Sequence, residues 1–302
     1  MSRMQLGAVQ SGRLDKPKRV LLYGSEGVGK STFGAGAPSP IFLGAEDGTA
    51  QLDVARFPEP ETWQDALDAI EQLITEDHEY QTLVIDTLDW LEPLCWAHVC
   101  AEGKKPSIED FGYGKGYVAA LDQWRVFFSA LDRLRGTKQM GIVLLAHSHI
   151  RTFRNPEGED FDRYELKLNT KAAGLCKEWP DAVLFTQYET FTHEKNERVK
   201  GVSTGARIVH TERRAAFDAK NRYGLPPAIP LGWADFEAAI GNPGKADELH
   251  ATASELIAAL EDAADAKKAA DGLKRADGDA GKLSKLIDWI NARIETTTRK
   301  AS

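Results

Sequence analysis

Arg19-Val20-Leu21-Leu22-Tyr23-Gly24-Ser25-Glu26-Gly27-Val28-Gly29-Lys30-Ser31-Thr32 is the stretch that decides the fold. Residues 19–23 form a short, mostly apolar run, the pattern of a strand buried on both faces. Residues 24–31 match G-x-x-x-x-G-K-[S/T] at every fixed position: Gly24, Gly29, Lys30 and Ser31. Glycines let the backbone turn so that successive N–H groups aim inward at phosphate oxygens. Lys30 supplies a cation for the β- and γ-phosphates, and the Ser31 hydroxyl is the expected Mg²⁺ ligand. The helix after the motif starts at the phosphates and adds the favourable end of its dipole. A strand before the motif and a helix after it are the context that separates a P-loop from a chance match. Gly24, Ser25, Glu26, Gly27, Val28, Gly29, Lys30, Ser31 and Thr32 are therefore the expected nucleotide contacts, with ATP and Mg²⁺ as the ligands.

Outward from the P-loop, apolar runs alternate with helical periodicity. Pro40–Ala45 reads as a second strand, running into Glu46-Asp47-Gly48. Residues 61–76 place Trp63, Leu67, Ile70, Leu73 and Ile74 on one helical face. Thr82-Leu83-Val84-Ile85 is a buried strand stopping at Asp86, and Gly141–Ala146 is another, closed by His147-Ser148-His149. Between them Val118, Leu121, Trp124, Phe128, Leu131 and Leu134 recur at helical spacing up to Gly136. Strands alternating with helices give an α/β fold with a mainly parallel central sheet flanked by helices. Its chemistry belongs at the carboxyl ends of the strands. Residues 150–171 are polar and turn-rich, a long loop or a hairpin, and 193–201 reads as a charged hairpin between strands at 182–185 and 207–209. Pro226–Pro230 is expected to close the core. The organisation read from this is an N-terminal arm (1–16), an ATPase domain (17–243) and a helical tail (244–302). The tail reads as two helices joined by an Asp-Gly linker at 276–281.

Composition narrows the class. The 302 residues are 42% apolar with seven Trp, enough for a large core and against wholesale disorder. Three Cys exclude a disulfide framework and suit a reducing compartment, so the expected location is cytoplasmic. No apolar run approaches the roughly 20 residues a bilayer span needs, and no membrane partner is expected. The net charge of −8 disfavours a broad nucleic-acid-binding face. Even so, residues 193–222 carry eight Lys/Arg against four Asp/Glu.

Two carboxylates complete the expected nucleotide site. Asp86 ends a strand expected beside the P-loop, where it would hold Mg²⁺ through water; Asp89 is the alternative. Glu46 follows the strand after the P-loop helix, where a carboxylate can orient or deprotonate the water attacking the γ-phosphate; a plain turn residue is the competing account. His147 and His149 lack a third ligand at metal spacing, and Cys95 and Cys100 lack a partner pair, so buried thiols are expected rather than zinc.

In this order, the motifs resemble the RecA-type ATPase core. The short P-loop helix and the Pro38-Ser39-Pro40-Ile41-Phe42-Leu43-Gly44-Ala45-Glu46-Asp47-Gly48 stretch after it are similar to phage-encoded RecA-like single-strand annealing proteins, often described only as AAA-domain or ATP-binding proteins. The resemblance covers roughly residues 17–232 and not the tail. It implies that Glu46 is the catalytic carboxylate and that His147 stands where the family has a γ-phosphate-sensing Gln. It also implies that Lys220 and Arg222, two apart on an extended stretch, reach across a subunit boundary like an arginine finger. The implied partners are single-stranded DNA, further copies of the chain in a ring or filament, and a single-stranded-DNA-binding protein. The implied location is then a host cytoplasm. Two stretches stand where such proteins contact DNA. One is Phe111–Tyr117, with Tyr113 and Tyr117 to stack on bases and Lys115 for phosphate; the other is 150–171, with Arg151 and Arg154. The implied activity is DNA-dependent ATP hydrolysis driving annealing or recombination. The alternatives are a P-loop phosphotransferase using 150–171 as its lid, and a nucleotide-gated interaction module without turnover.

Overall fold

The computed structural model describes residues 9, 16–44, 49–195, 198–240, 245–258, 260, 262–276 and 280–301. Glu46, most of the proposed arm, the tip of the charged hairpin and the centre of the proposed tail linker lie outside the described residues.

Six strands run parallel: β1 (Arg19–Gly24), β2 (Pro40–Gly44), β3 (Ala55–Arg56), β4 (Thr82–Asp86), β5 (Gly141–Phe153) and β7 (Ala182–Lys195). Four more complete the sheet: β6 (Phe161–Leu166), β8 (Arg198–His210), β9 (Lys220–Asn221) and β10 (Ala228–Pro230). The order is β10-β8-β7-β1-β5-β4-β2-β3, with β6 hydrogen-bonded to β5 and β9 to β7. The strand carrying Asp86 is therefore not beside the P-loop strand; β5 lies between them. No local sequence pattern encodes which strand pairs with which.

Why the parallel strands read as continuous apolar runs is plain from their two faces. Leu21, Tyr23, Ile142, Leu144, Leu83 and Ile85 enter one core cluster, while Val20, Leu22, Val143, Leu145 and Val84 enter the other. Both faces are covered, so both sets must be apolar. On the first face lie α2 (Trp63–Thr75), α3 (Leu88–Glu102), α4 (Lys115–Lys138) and α5 (Thr170–Glu178). On the second lie α1 (Lys30–Ala35) and α6 (Trp233–Ile240), contributing Phe33, Trp233 and Phe236. The core thus extends past Pro230, because Trp233 and Phe236 are buried against Phe33.

An aromatic knot joins α2 to α4. Trp63 meets Trp124 edge-on at 5.1 Å and Phe127 at 5.3 Å, all three fully buried. The start of α2 is fixed by a capping box: Thr62 Oγ1 accepts the Asp65 N–H and Asp65 Oδ2 accepts the Thr62 N–H.

The stretch left open in the sequence is a hairpin, as is the one read as a charged hairpin. Most of 150–171 is the antiparallel β5–β6 pair followed by the start of α5, and β7–β8 forms a long antiparallel arm from Phe185↔His210 to Lys195↔Arg198. Among the described residues the tail holds three helices rather than two: α7 (Lys245–Ala258), α8 (Ala263–Ala276) and α9 (Ala280–Ala301). The missed α8 buries Ala269 and Ala276, and small alanines give a faint periodicity signal. No described helix is long and apolar enough to cross a membrane.

Trp124→Ala is expected to lower unfolding free energy by about 3–5 kcal/mol through the cavity it leaves, measured by urea denaturation.

Candidate nucleotide site

β1 delivers the P-loop at the carboxyl edge of the sheet. Its last residue must be glycine, because a Cβ on Gly24 would sit 2.2 Å from the Thr186 carbonyl oxygen of β7. Gly27 and Gly29 have φ of +69° and +106°, left-handed backbone that other residues adopt only under strain. Val28 between them is fully buried and anchors the loop, while Ser25 and Glu26 are exposed. Glu26 lies 3.8 Å from Lys167, which joins β6 to α5. Lys30 is buried, its ammonium donating to the carbonyls of Ser25 (2.9 Å) and Gly24 (3.4 Å).

A cleft of about 270 Å³ opens over this loop. Its wall includes Gly27, Gly29, Lys30, Ser31 and Thr32 from the P-loop and α1. Asp86 from β4 and His147 from β5 complete the side away from β7, with Gln51 and Leu52 from the β2–β3 connection. The register explains the convergence. Gly24 pairs with His147 across β1 and β5, and Asp86 pairs with Leu145 across β4 and β5. A cation thus shares one cleft with a hydroxyl and a carboxylate, and the latter two are hard oxygen donors that suit Mg²⁺ completed by phosphate and water rather than an all-protein cage. Among the described residues no cluster of three His, Cys, Asp or Glu offers such a cage.

The two acids in the first turns of α3 do other work. Asp89 lies outside the cleft wall and binds His147, from whose backbone N–H it accepts at 2.9 Å, with its Oδ2 2.8 Å from Nδ1. Glu92 accepts the Asn169 N–H on both carboxylate oxygens at 3.0 Å, tying α3 to the start of α5. Burial pushes the Glu92 carboxyl up to about 7.

Sequence reasoning missed a further group on the β7 side. Tyr188 donates its hydroxyl proton to the Gly27 carbonyl at 3.0 Å, and the Arg207 guanidinium lies 5.8 Å from the Tyr188 ring. A Cβ on Gly29 would come within 2.7 Å of Arg207 Nη1. These residues pair across the β7–β8 hairpin, and only that pairing brings them to the loop.

Residues 16–223 match the family model of the AAA domain. The chain belongs to the AAA domain family. Among solved structures, this AAA domain protein is similar to the RadB recombinase, 13% identical with a TM-score of 0.35, over 67% of this chain and 84% of that one. No curated protein matches it in sequence.

The other expected site residues of this AAA domain protein lie apart from the cleft. Lys220 donates to the Lys177 and Glu178 carbonyls at 2.9 and 2.8 Å, capping α5, and Arg222 lies 3.3 Å from Asp181. Asp181 also binds Arg19 at the start of β1, so both cations sit at the amino edge of the sheet, about 17 Å of strand away from the P-loop. Of the first stretch read for DNA, only 112–114 is a turn; Lys115 and Tyr117 already belong to α4. Tyr113 is fully exposed, Lys115 is exposed, and Tyr117 packs on Trp96 while donating to Glu109. On the β5–β6 hairpin, Arg151 donates to Thr170 Oγ1 at 3.0 Å and lies 3.8 Å from Glu165, while Arg154 is exposed.

Glu92 sets a pH dependence. Its folded value near 7 stands above its ordinary 4.5, so the folded chain holds the proton more tightly. That stability is complete below about pH 4.5 and is lost as pH rises through 7. Glu92→Gln is therefore expected to be more stable than the parent at pH 8 by roughly 2–3 kcal/mol, the two converging toward pH 4.5 in urea titrations.

Proposed function

We propose that the chain is an ATP-binding, RecA-like ATPase that binds single-stranded DNA and promotes annealing or recombination. Convergence of the P-loop, Asp86 and His147 on one cleft is the observation that carries this reading. In it, P-loop amides and Lys30 hold the phosphates, while Ser31 and Asp86 hold Mg²⁺, which when bound neutralises charge developing on the phosphoryl group. Glu46 orients the attacking water, as the resemblance implies. Residues 17–243 form the ATPase domain and 244–302 a helical tail.

The place of Lys220 and Arg222 at the opposite edge of the sheet suits delivery to a neighbouring copy's ATP rather than to the chain's own, and so supports a ring or filament. Arg222 is the more exposed of the two. Tyr113, presented bare on a two-glycine turn, supports stacking on an unpaired base, with Lys115, Arg151 and Arg154 meeting phosphate. An acidic chain that binds DNA through so few side chains has strongly salt-sensitive affinity.

Lys30→Ala is expected to abolish ATP hydrolysis, and single-stranded DNA to accelerate hydrolysis by the unaltered protein; both are read as phosphate release with and without DNA. Tyr113→Ala is expected to weaken single-stranded DNA binding by about 1–3 kcal/mol in an electrophoretic mobility assay at low salt. Absence of any mobility shift for the unaltered protein with ATP would end the DNA-binding reading.

A further inference from the structure

Asp86 and Asp89 are three residues apart, yet only Asp86 lines the cleft. Asp89 is committed to the histidine opposite. Its Oδ1 accepts the His147 backbone N–H and its Oδ2 faces Nδ1, and the two side chains are 4% and 8% exposed. Burial works against the charged form of Asp89, and the hydrogen bonds from His147 outweigh it, holding the carboxyl below its ordinary range. An ionised carboxylate only accepts hydrogen bonds, so Nδ1 carries the hydrogen between them. A neutral imidazole has a single N–H. His147 lines the cleft beside Lys30, Ser31 and Asp86, and with Nδ1 engaged by Asp89, Nε2 is the ring nitrogen left for a ligand bound there.

We infer that Asp89 is a positioning residue that holds His147 in its Nδ1–H tautomer, so that Nε2 meets the cleft as the proton acceptor for the water attacking the terminal phosphate. This rests on the reading of the cleft as an ATP site. In the step, the water oxygen bonds to the γ-phosphorus and the bond from that phosphorus to the bridging oxygen breaks. The bridging oxygen's electron pair leaves with ADP, and the water proton passes to Nε2 and then to solvent. The role differs from that of a phosphate sensor, because a neutral ring with Nδ1–H has no hydrogen on Nε2 to donate. The same logic governs other histidines oriented by a buried carboxylate.

The test is nitrogen NMR on the full chain carrying ¹⁵N-histidine at pH 8, with His147 assigned by the signal missing from His147→Ala. The expected result is a neutral ring with hydrogen on Nδ1; an Nε2–H ring or a doubly protonated one overturns the inference. Asp89→Asn, whose amide can donate to Nδ1, is expected to move the hydrogen to Nε2. It should also lower kcat for ATP about 10²-fold while the KM for ATP and the melting temperature change little. A shifted tautomer with unchanged kcat overturns the proton-acceptor role. If Asp89→Asn does not fold, the tautomer of the unaltered chain decides alone. If the unaltered chain binds no ATP, the nucleotide reading falls and the role of His147 with it, whereas an Nε2–H ring in an active ATPase sinks the inference alone.

Discussion

The parallel pairing of β1 between β5 and β7 is the constraint on which the rest depends. On one side, β7 approaches so closely at Thr186 that the last residue of β1 has room for no side chain, and the chain must leave the sheet there as glycine. On the other, β5 holds His147 in register with that same glycine. The P-loop is therefore placed between two strands before any ligand is considered. Its glycines then turn the backbone through conformations that bring the buried Lys30 back under the loop. Burial of both faces of the parallel strands makes this frame rigid, because a close-packed interior has little room to relax.

Charge in the interior is handled by pairing across elements rather than within them. Asp89 of α3 meets His147 of β5, and Glu92 one turn later meets the start of α5. At the far edge Asp181 gathers Arg19 and Arg222. A buried charge without a partner costs far more than a paired one contributes, so each such contact constrains where its elements can sit. The first turns of α3 thereby link the cleft to α5, and the same helix packs through Cys95 and Trp96 against the start of α4, next to the exposed Tyr113.

The P-loop half of the cleft was legible because its chemistry is local. From Gly24 to Thr32 the turn, the cation, the hydroxyl and the helix start lie within nine consecutive residues, and the apolar run before them announces the strand. Asp86 and His147 were legible for a related reason. Asp86 ends the buried run of β4, and His147 follows the buried run of β5, which continues past it to Phe153 as a hairpin strand. The carboxyl ends of such runs face the cleft. Asp89 was read only as a substitute metal ligand, since its contact with His147 spans 58 residues. Tyr188 and Arg207 carried no signal at all. They reach Gly27 and Gly29 only because the β7–β8 arm folds beside the P-loop, and an isolated Tyr or Arg in a polar strand looks like surface.

By itself, then, the sequence determined the α/β class, the P-loop and the two residues that close buried apolar runs and join it, because periodicity and turn chemistry act over a few residues. Tertiary structure alone decided that β5 intervenes between the P-loop strand and the Asp86 strand. It also decided that Lys220 and Arg222 lie at the opposite edge from the cleft, and that Asp89 serves a histidine instead of facing the cleft. These are matters of which strand lies beside which and of the partner a buried carboxylate finds within hydrogen-bond reach, and both are settled only when distant segments pack together.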